Sequence, residues 1–452
     1  VAKPRRGEIV IDGFDGLNEL LSPFDLGRDE ENNWLVTAKN VDIDDGRSVR
    51  QREGTTKIGT YTDPHSLWSD GEYTLFAEGG NLHLVDQINE TTVSTSQIVT
   101  GAGPSNFGYA KAHDRIYFSN DKKNGMLLSN GTFHNWKVET PQGQPTLATT
   151  TGALVIDCSI SVFVTYIDDL GRESGASNIS TTETDSTTGI QLTNIPVPTE
   201  SDIILKAIYC TPPDGDIFYL VDVISTATTS YNITNFNHFT VQEWTLFLSE
   251  PPLGGLLAYD SGRLWVADGK YLYRSEPLVY HLFNLRENYF PFSKDISIIA
   301  AVEGGIYVAA DETYFIPTTS EIPELTSVLN YGAVPGTLFY IPGEKIAQGE
   351  QGEWAGWMSS RGLVVAGPNG QIRNITEDKT AIKDASEGGS IVREDGGYTR
   401  IISSFKAGSS SSIRATDYVT ATVTKCPAQS TDNTADNYYY TADNNTITAD
   451  AA

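Results

Sequence analysis

Leu256-Leu-Ala-Tyr-Asp-Ser-Gly-Arg-Leu-Trp-Val-Ala267, followed by Lys270-Tyr-Leu-Tyr-Arg-Ser275, is the stretch on which the fold turns. An apolar run ends at a small polar turn with Asp and Gly, a second apolar run returns, and a third strand rich in Leu and Tyr follows. The pattern recurs at Ser66–Ala77 with Gly80–Val85, and at Gly108–Ser119 with Met126–Phe133. It recurs again at Ile296–Ala309 with Glu312–Ile316, and at Gly356–Ala366 with Gly370–Ile375. Within each run the copies are spaced at about 40 residues, the length of one four-stranded propeller blade. A lone hairpin cannot bury both faces, whereas copies ringed around an axis bury each sheet against the next and leave only short edges. No Trp-Asp or kelch signature marks the copies, so a stacked β-sandwich is the alternative.

The series breaks between Pro141 and Glu250. Thr146–Thr149, Cys158–Ile167, Gly189–Leu192, Ile203–Tyr209, Phe218–Ile224 and Thr228–Tyr231 alternate differently. They give about seven short strands in about 100 residues, the spacing of an immunoglobulin-like sandwich. A tyrosine strand, the turn Asp168-Asp-Leu-Gly-Arg-Glu-Ser174, an exposed strand and two further strands together resemble a fibronectin type III module. The expected fold is therefore all-β: a β-propeller with an inserted immunoglobulin-like (fibronectin type III-like) sandwich domain. Five segments follow: 1–59, a lead-in and hairpin; 60–140, the first blades; 141–250, the insert; 251–405, the later blades; and 406–452, a strand at Tyr418–Thr424 and a polar tail.

The 452 residues hold 58 Asp and Glu against 31 Lys and Arg, a net charge of −27. Such a chain gains no counterion-release affinity for nucleic acid or anionic lipid. It is not expected to grip DNA, though it can line a passage through which DNA slides. Cys158, Cys210 and Cys426 lie far apart without a C-x-x-C, which predicts free thiols rather than a disulfide scaffold or zinc site. No window approaches the roughly 18 apolar residues of a membrane span. The basic start leads into an apolar run too short for a signal-peptide core. A soluble chain made in a reducing cytoplasm is expected, with no membrane insertion.

No catalytic constellation stands out. H-E-x-x-H, G-x-S-x-G and a phosphate-cradling glycine motif are all missing from the sequence. A non-enzymatic protein without cofactor or metal is expected. The six histidines are dispersed, with His83 and His113 in hairpins. Many carboxylates sit in Asp-Gly turns, where turn chemistry explains them. Tyr271, Tyr273 and Trp265 are expected in a blade core rather than on a sugar platform. Arg263, Arg274 and Arg361 flank apolar strands and are expected at solvated edges, pairing with neighbouring carboxylates being the other reading.

Asn40-Val-Asp-Ile-Asp-Asp-Gly-Arg-Ser-Val-Arg-Gln-Arg-Glu-Gly-Thr55 reads as a hairpin turning at Asp45-Gly46. Its glycine comes one position too early for a calcium loop. The stretch resembles the N-terminal segment of tail nozzle or tail hub proteins of short-tailed bacteriophages. Leu272–Pro277, Val302–Ala309 with Glu312–Ile316, Gly332–Gly336 and Trp357–Val364 are similar to the same family. Val49 stands where leucine is usual, Glu53 where proline is common, and the tail beyond about residue 405 is unmatched. The resemblance implies a virion protein of the phage tail, assembled in the host cytoplasm as a homo-oligomer, a hexameric ring. Such a ring sits below the tail adaptor protein, contacts tail needle, tip or fibre proteins, and passes double-stranded DNA through its lumen without sequence-specific binding. A ring of such charge needs paired interfaces, and Arg47, Arg50 and Arg52 are the candidate subunit contact, a solvated strand face being the plainer reading. A propeller-based carbohydrate-binding or glycan-cleaving protein is the alternative function.

Overall fold

The computed structural model describes residues 13–407, apart from 19, 27–32, 37, 39–40, 44–46, 52–58, 90–91, 155–156, 185–188, 236–239, 320–322, 378, 381, 383–384 and 396–397, together with 437–440 and 447–450. Among these residues the chain is all-β, a succession of small and almost entirely antiparallel sheets with one four-residue α-helix, Pro23–Leu26. It divides into two compact units, residues 64–84 with 96–292, and residues 1–63, 85–95 and 293–452.

In the unit formed by 64–84 and 96–292, each predicted hairpin is extended to a sheet whose strands follow chain order. His65–Ser69, Thr74–Glu78, Asn81–Ile88 and Val93–Val99 form the first such sheet. Gly108–Ala112, Arg115–Ser119, Asn124–Leu127 and Phe133–His134 form the next. Leu256–Asp260, Arg263–Asp268, Tyr271–Glu276 and Val279–Phe283 form a third, with Tyr289–Pro291 added beside Tyr271–Tyr273. Ser261 and Gly262 both take positive φ, 49° and 72°, as a two-residue hairpin turn matched to the strand twist requires.

Alternating residues then place one face of each sheet against the next. Leu75, Ala77 and Leu82 share a core with Phe107, Ile116, Phe118 and Leu127. Ala110, Ala112, Tyr117 and Met126 share another with Leu257, Val266 and Phe283. Each fully buried aliphatic or aromatic side chain contributes about 1.5–3 kcal/mol relative to exposure. At Gly108 the approach is backbone to backbone: a Cβ there would lie 2.7 Å from Gly255 O and 2.8 Å from Leu256 Cα, so a larger residue forces main chain to shift.

Residues 146–233 form two facing sheets. One contains Thr146–Thr150, Gly189–Thr193 and Tyr231–Ile233; the other contains Ser180–Glu183, Ser159–Asp168, Ile203–Cys210 and Tyr219–Ser225. Ile160, Val162, Val164 and Ile208 of the second meet Ile190, Leu192 and Ile233 of the first in one core. Cys158 and Cys210 are buried free thiols in that core, and burial pushes the Cys210 thiol up to about 12. Cys426 lies outside the described residues.

The other unit holds two four-stranded sheets of the same kind. Ile298–Val302, Gly305–Ala309, Thr313–Pro317 and Thr326–Leu329 form one; Phe339–Pro342, Glu353–Ser359, Gly362–Ala366 and Ile372–Asn374 form the other. Ile298, Ala300, Tyr307 and Phe315 pack against Ala355, Trp357 and Val364 between them. The hairpin near the start is also present, with Val41–Ile43 antiparallel to Val49–Gln51; its turn at 44–46 lies outside the described residues. Among the described residues, Ala385–Asp395 and Tyr398–Ala407 pair only with each other, in a stretch where the sequence predicted continuing blades. The strand predicted at Tyr418–Thr424 lies outside the described residues.

Candidate functional site

A connected constellation of charged and polar side chains lies within the unit containing the two facing sheets. Its centre is the turn after strand Ser159–Asp168. Gly171 takes φ 73°, and the Asp168 Oδ1 accepts the backbone N–H of Leu170 at 3.1 Å and of Arg172 at 2.7 Å. The loop is thus closed by its own first carboxylate, as Asp-initiated turns are. This closure brings the Arg172 side chain back over Asp168.

Arg172 fills its fork from two sides. Its Nε donates to Asp168 Oδ2 at 2.8 Å, and its Nη2 lies 2.7 Å from the same oxygen in an ion pair. Its Nη1 donates to Trp136 O and its Nη2 to Asn135 O, both at 2.8 Å. Asp168 is fully buried, so this charge-assisted fork replaces the water it has lost. His134 lies alongside, its Nε2 2.7 Å from Asp169 Oδ1 and its Nδ1 2.9 Å from Asn135 O. Asn135 Nδ2 donates to Asp202 Oδ2 at 3.0 Å, and the Asp169 N–H to Asp202 O at 2.9 Å.

A third segment, Val279–Phe283, closes the constellation. His281 Nε2 lies 2.9 Å from Glu173 O, and Trp136 Nε1 donates to Tyr280 O at 2.7 Å. Burial, reinforced by the Arg172 charge, holds the His281 imidazole down to about 4. Burial raises the Glu173 carboxyl, although Thr165 Oγ1 and Tyr209 OH donate to its Oε1 at 2.5 and 2.8 Å.

Ligand atoms of His134, Asp168 and Asp169 lie within 4.8 Å of one another. They do not form a cation site. The Arg172 guanidinium already stands there as the cation, and the two Asp168 oxygens accept three N–H groups between them. The arrangement acts as a joint, binding the facing-sheet module to segments 133–138 and 279–283. Beside it, Lys137 Nζ lies 3.6 Å from Glu250 Oε2, and Glu250 Oε1 accepts the Thr140 N–H at 2.8 Å.

The sequence held one signal for this joint, the turn Asp168-Asp-Leu-Gly-Arg-Glu-Ser174. It gave none for His134 and His281, which arrive from strands far away in the chain.

The predicted subunit-contact arginines are placed separately. Arg47 takes φ 61°, its Nη2 lies 2.6 Å from Asp15 Oδ2, and its carbonyl accepts the Phe14 N–H at 2.7 Å. It fastens the lead-in to the hairpin within its own chain. Arg50 is exposed and faces Asp42 across the hairpin. Arg52 lies outside the described residues.

His83 stacks on Phe76 at 5.4 Å, and His113 Nε2 lies 3.0 Å from Tyr280 OH. Trp265 is buried, as predicted for a core residue, but Tyr271 is 45% exposed and meets Tyr289, 39% exposed, at 5.9 Å. Of the three arginines predicted at solvated edges, Arg361 lies 4.8 Å over the Tyr331 ring and 3.6 Å from Glu377. Arg263 and Arg274 are instead half-buried, because both occupy a sheet face beside Trp265.

No family model matches the chain, and no curated protein matches it. Among solved structures it is similar to BBS1N, solved in complex with ARL6DN, at 13% identity and a TM-score of 0.29, covering 78% of this chain and 91% of that one. It is also similar to PorZ, a surface component of the type-IX secretion system of Porphyromonas gingivalis, at 11% identity and a TM-score of 0.18, covering 78% and 53%. A third is the extracellular domain of the two component system BT4673 from B. thetaiotaomicron, at 12% identity and a TM-score of 0.21, covering 83% and 64%. At these TM-scores the likenesses carry no argument about function.

Proposed function

We propose that the chain is a non-enzymatic structural protein of the virion, forming the ring-shaped tail nozzle of a short-tailed phage. In this reading the four-stranded sheets are propeller blades, and residues 141–250 are a fibronectin type III-like insert. The ring lines the DNA ejection conduit, retains the packaged genome, and meets the adaptor on one side and needle, tip or fibre proteins on the other.

The observation that carries this reading is the order of parts. A lead-in and the hairpin Val41–Ile43/Val49–Gln51 precede a run of four-stranded sheets, the order implied by the family resemblance of Asn40–Thr55. The net charge of −27 supports it, since a carboxylate-lined lumen repels phosphates and leaves DNA free to slide.

Negative-stain microscopy of particles carrying the chain tests the reading, with a ring at the distal end of a short tail as the expected result. A chain that stays monomeric at high concentration and is missing from virions would sink it. The exposed tyrosines Tyr271 and Tyr289 favour a second reading, a carbohydrate-binding or glycan-cleaving propeller. Polysaccharide turnover lost on a single carboxylate substitution would promote that one.

A further inference from the structure

His113, Tyr259 and Tyr280 come from three parts of the chain and bring three donor atoms together. His113 lies in the turn between Gly108–Ala112 and Arg115–Ser119, Tyr259 on Leu256–Asp260 and Tyr280 on Val279–Phe283. His113 Nε2 stands 3.0 Å from the Tyr280 hydroxyl and 3.3 Å from that of Tyr259, and the two hydroxyls are 3.4 Å apart. Hydroxyl hydrogen bonds ordinarily close to about 2.7–2.8 Å, so two sides of this triangle are looser than hydrogen bonding alone makes them. With one proton to a side the three sides are not filled together, because a neutral imidazole Nε2 either donates or accepts and each phenol has one O–H. Donors held about 2.0–2.1 Å from a metal ion stand roughly 3.3–3.4 Å apart at tetrahedral angles and roughly 2.9 Å apart at right angles. The three sides fall within that range.

Packing sets these distances. The Tyr259 and Tyr280 rings lie at 88° with centroids 5.8 Å apart, so their closer hydroxyls converge. Both rings rest on the core that Ala110, Ala112 and Tyr117 share with Leu257 and Phe283. Trp136 Nε1 donates to the Tyr280 carbonyl at 2.7 Å, and the Tyr117 ring meets Tyr280 edge-on at 5.8 Å. His113, in a left-handed turn position at φ 56°, is exposed, so an ion reaches the triangle from solvent.

We propose that His113, Tyr259 and Tyr280 form a three-donor face for a ferric or cupric ion, with its remaining coordination positions open to water. Imidazole suits both metals, and a phenolate is a hard anionic donor that offsets their charge. On binding, each phenol O–H bond breaks, its proton passes to solvent, and an oxygen–metal bond forms in its place. An ordinary phenol keeps its proton up to about pH 10. Burial, and then Tyr259 and Tyr117, raise the Tyr280 phenol further. Only a strongly Lewis-acidic ion displaces such protons, which sets the face against magnesium and calcium. The net charge of −27 draws cations toward the chain. This site does not depend on the nozzle reading.

The test is titration of the full chain with Fe(III) supplied as its nitrilotriacetate complex, and separately with Cu(II) supplied as its glycine complex. Visible absorption is the readout, because a phenolate bound to either ion gives a charge-transfer band that free tyrosine lacks. A band saturating at one ion per chain is expected with one or both metals. Response to Fe(III) alone assigns a ferric site, response to Cu(II) alone a cupric one, and response to both a site for either. The band should be lost or weakened at least about tenfold in Tyr259→Phe and Tyr280→Phe, and the affinity should fall by a similar factor in His113→Asn. Both phenylalanines keep the packed ring, and asparagine accepts the left-handed turn, so the three variants should fold, as thermal melts will show. Tyr271→Phe, at an exposed tyrosine outside the triangle, should leave the band unchanged. No band with either metal in the parent, or an undiminished band in the folded Tyr259→Phe and Tyr280→Phe chains, overturns the proposal.

Discussion

Arg172 is the side chain whose loss would be felt most. It is the partner of a fully buried carboxylate and the donor to two carbonyls on another segment. Arg172→Ala leaves Asp168 charged and uncompensated, which should cost about 3–5 kcal/mol in urea unfolding. Arg172→Lys should recover only part of this, since an ammonium cannot span the fork. Equal stability of the alanine variant and the parent would refute the joint.

His281 gives a second residue-scale expectation. Its folded pKa of about 4 lies below the unfolded value of about 6.5, so the unfolded chain binds the extra proton between those limits. The contribution of His281 is present above pH 6.5 and is lost as pH falls toward 4. Comparing the parent with His281→Gln, the parent should lose more stability between pH 7 and pH 4.5. An identical loss in both would show that His281 does not titrate this way.

At the scale of elements, Gly108 marks where two sheets touch through bare backbone. Gly108→Ala should cost about 1–3 kcal/mol, because the contacted atoms are main chain and cannot swing aside. Gly389→Ala, with open space around the new Cβ, should be neutral or slightly stabilising. Thermal melts of the two side by side check the contrast.

The strands themselves were legible because period-2 apolar runs and Gly or Asp turns are local signals. Leu264–Ala267 and Gly305–Ala309 stand where those runs predicted them. What was not legible was partnership. Nothing local distinguishes Ala385–Asp395 and Tyr398–Ala407, paired only with each other among the described residues, from strands that join a larger sheet. The joint was half-visible for the same reason: Asp168 to Arg172 is a local turn, but Trp136 and His281 come from far along the chain. Tyr271 and Trp265 were read alike, yet Tyr271 opens its strand and stays exposed while Trp265 sits within its strand and is buried.

For the molecule as a whole, charge sets the conditions of assembly. Chains of net charge −27 repel one another over a Debye length of about 8 Å at physiological salt. If the chain forms rings, self-association should rise with ionic strength as that repulsion is screened. Light scattering across a salt series tests this. Assembly that weakens steadily with added salt would point instead to interfaces dominated by arginine–carboxylate pairs such as those considered for Arg47 and Arg50.

The contact of Glu250 with Thr140 and Lys137 has a consequence for how the molecule can vary. It pins together the points where the chain leaves for the facing-sheet module and where it returns. A segment whose two ends are already neighbours behaves as a cassette. Exchange for another module, or for a short turn, asks for little loop-closure entropy, because the ends need not be brought together afresh. The core of Ala110, Met126, Leu257 and Val266 draws nothing from within the cassette. What an exchange must supply is a donor for the Asn135 and Trp136 carbonyls that Arg172 now satisfies. A replacement carrying one arginine at that spot meets this need, so the scaffold can keep its sheets while the module it displays is changed.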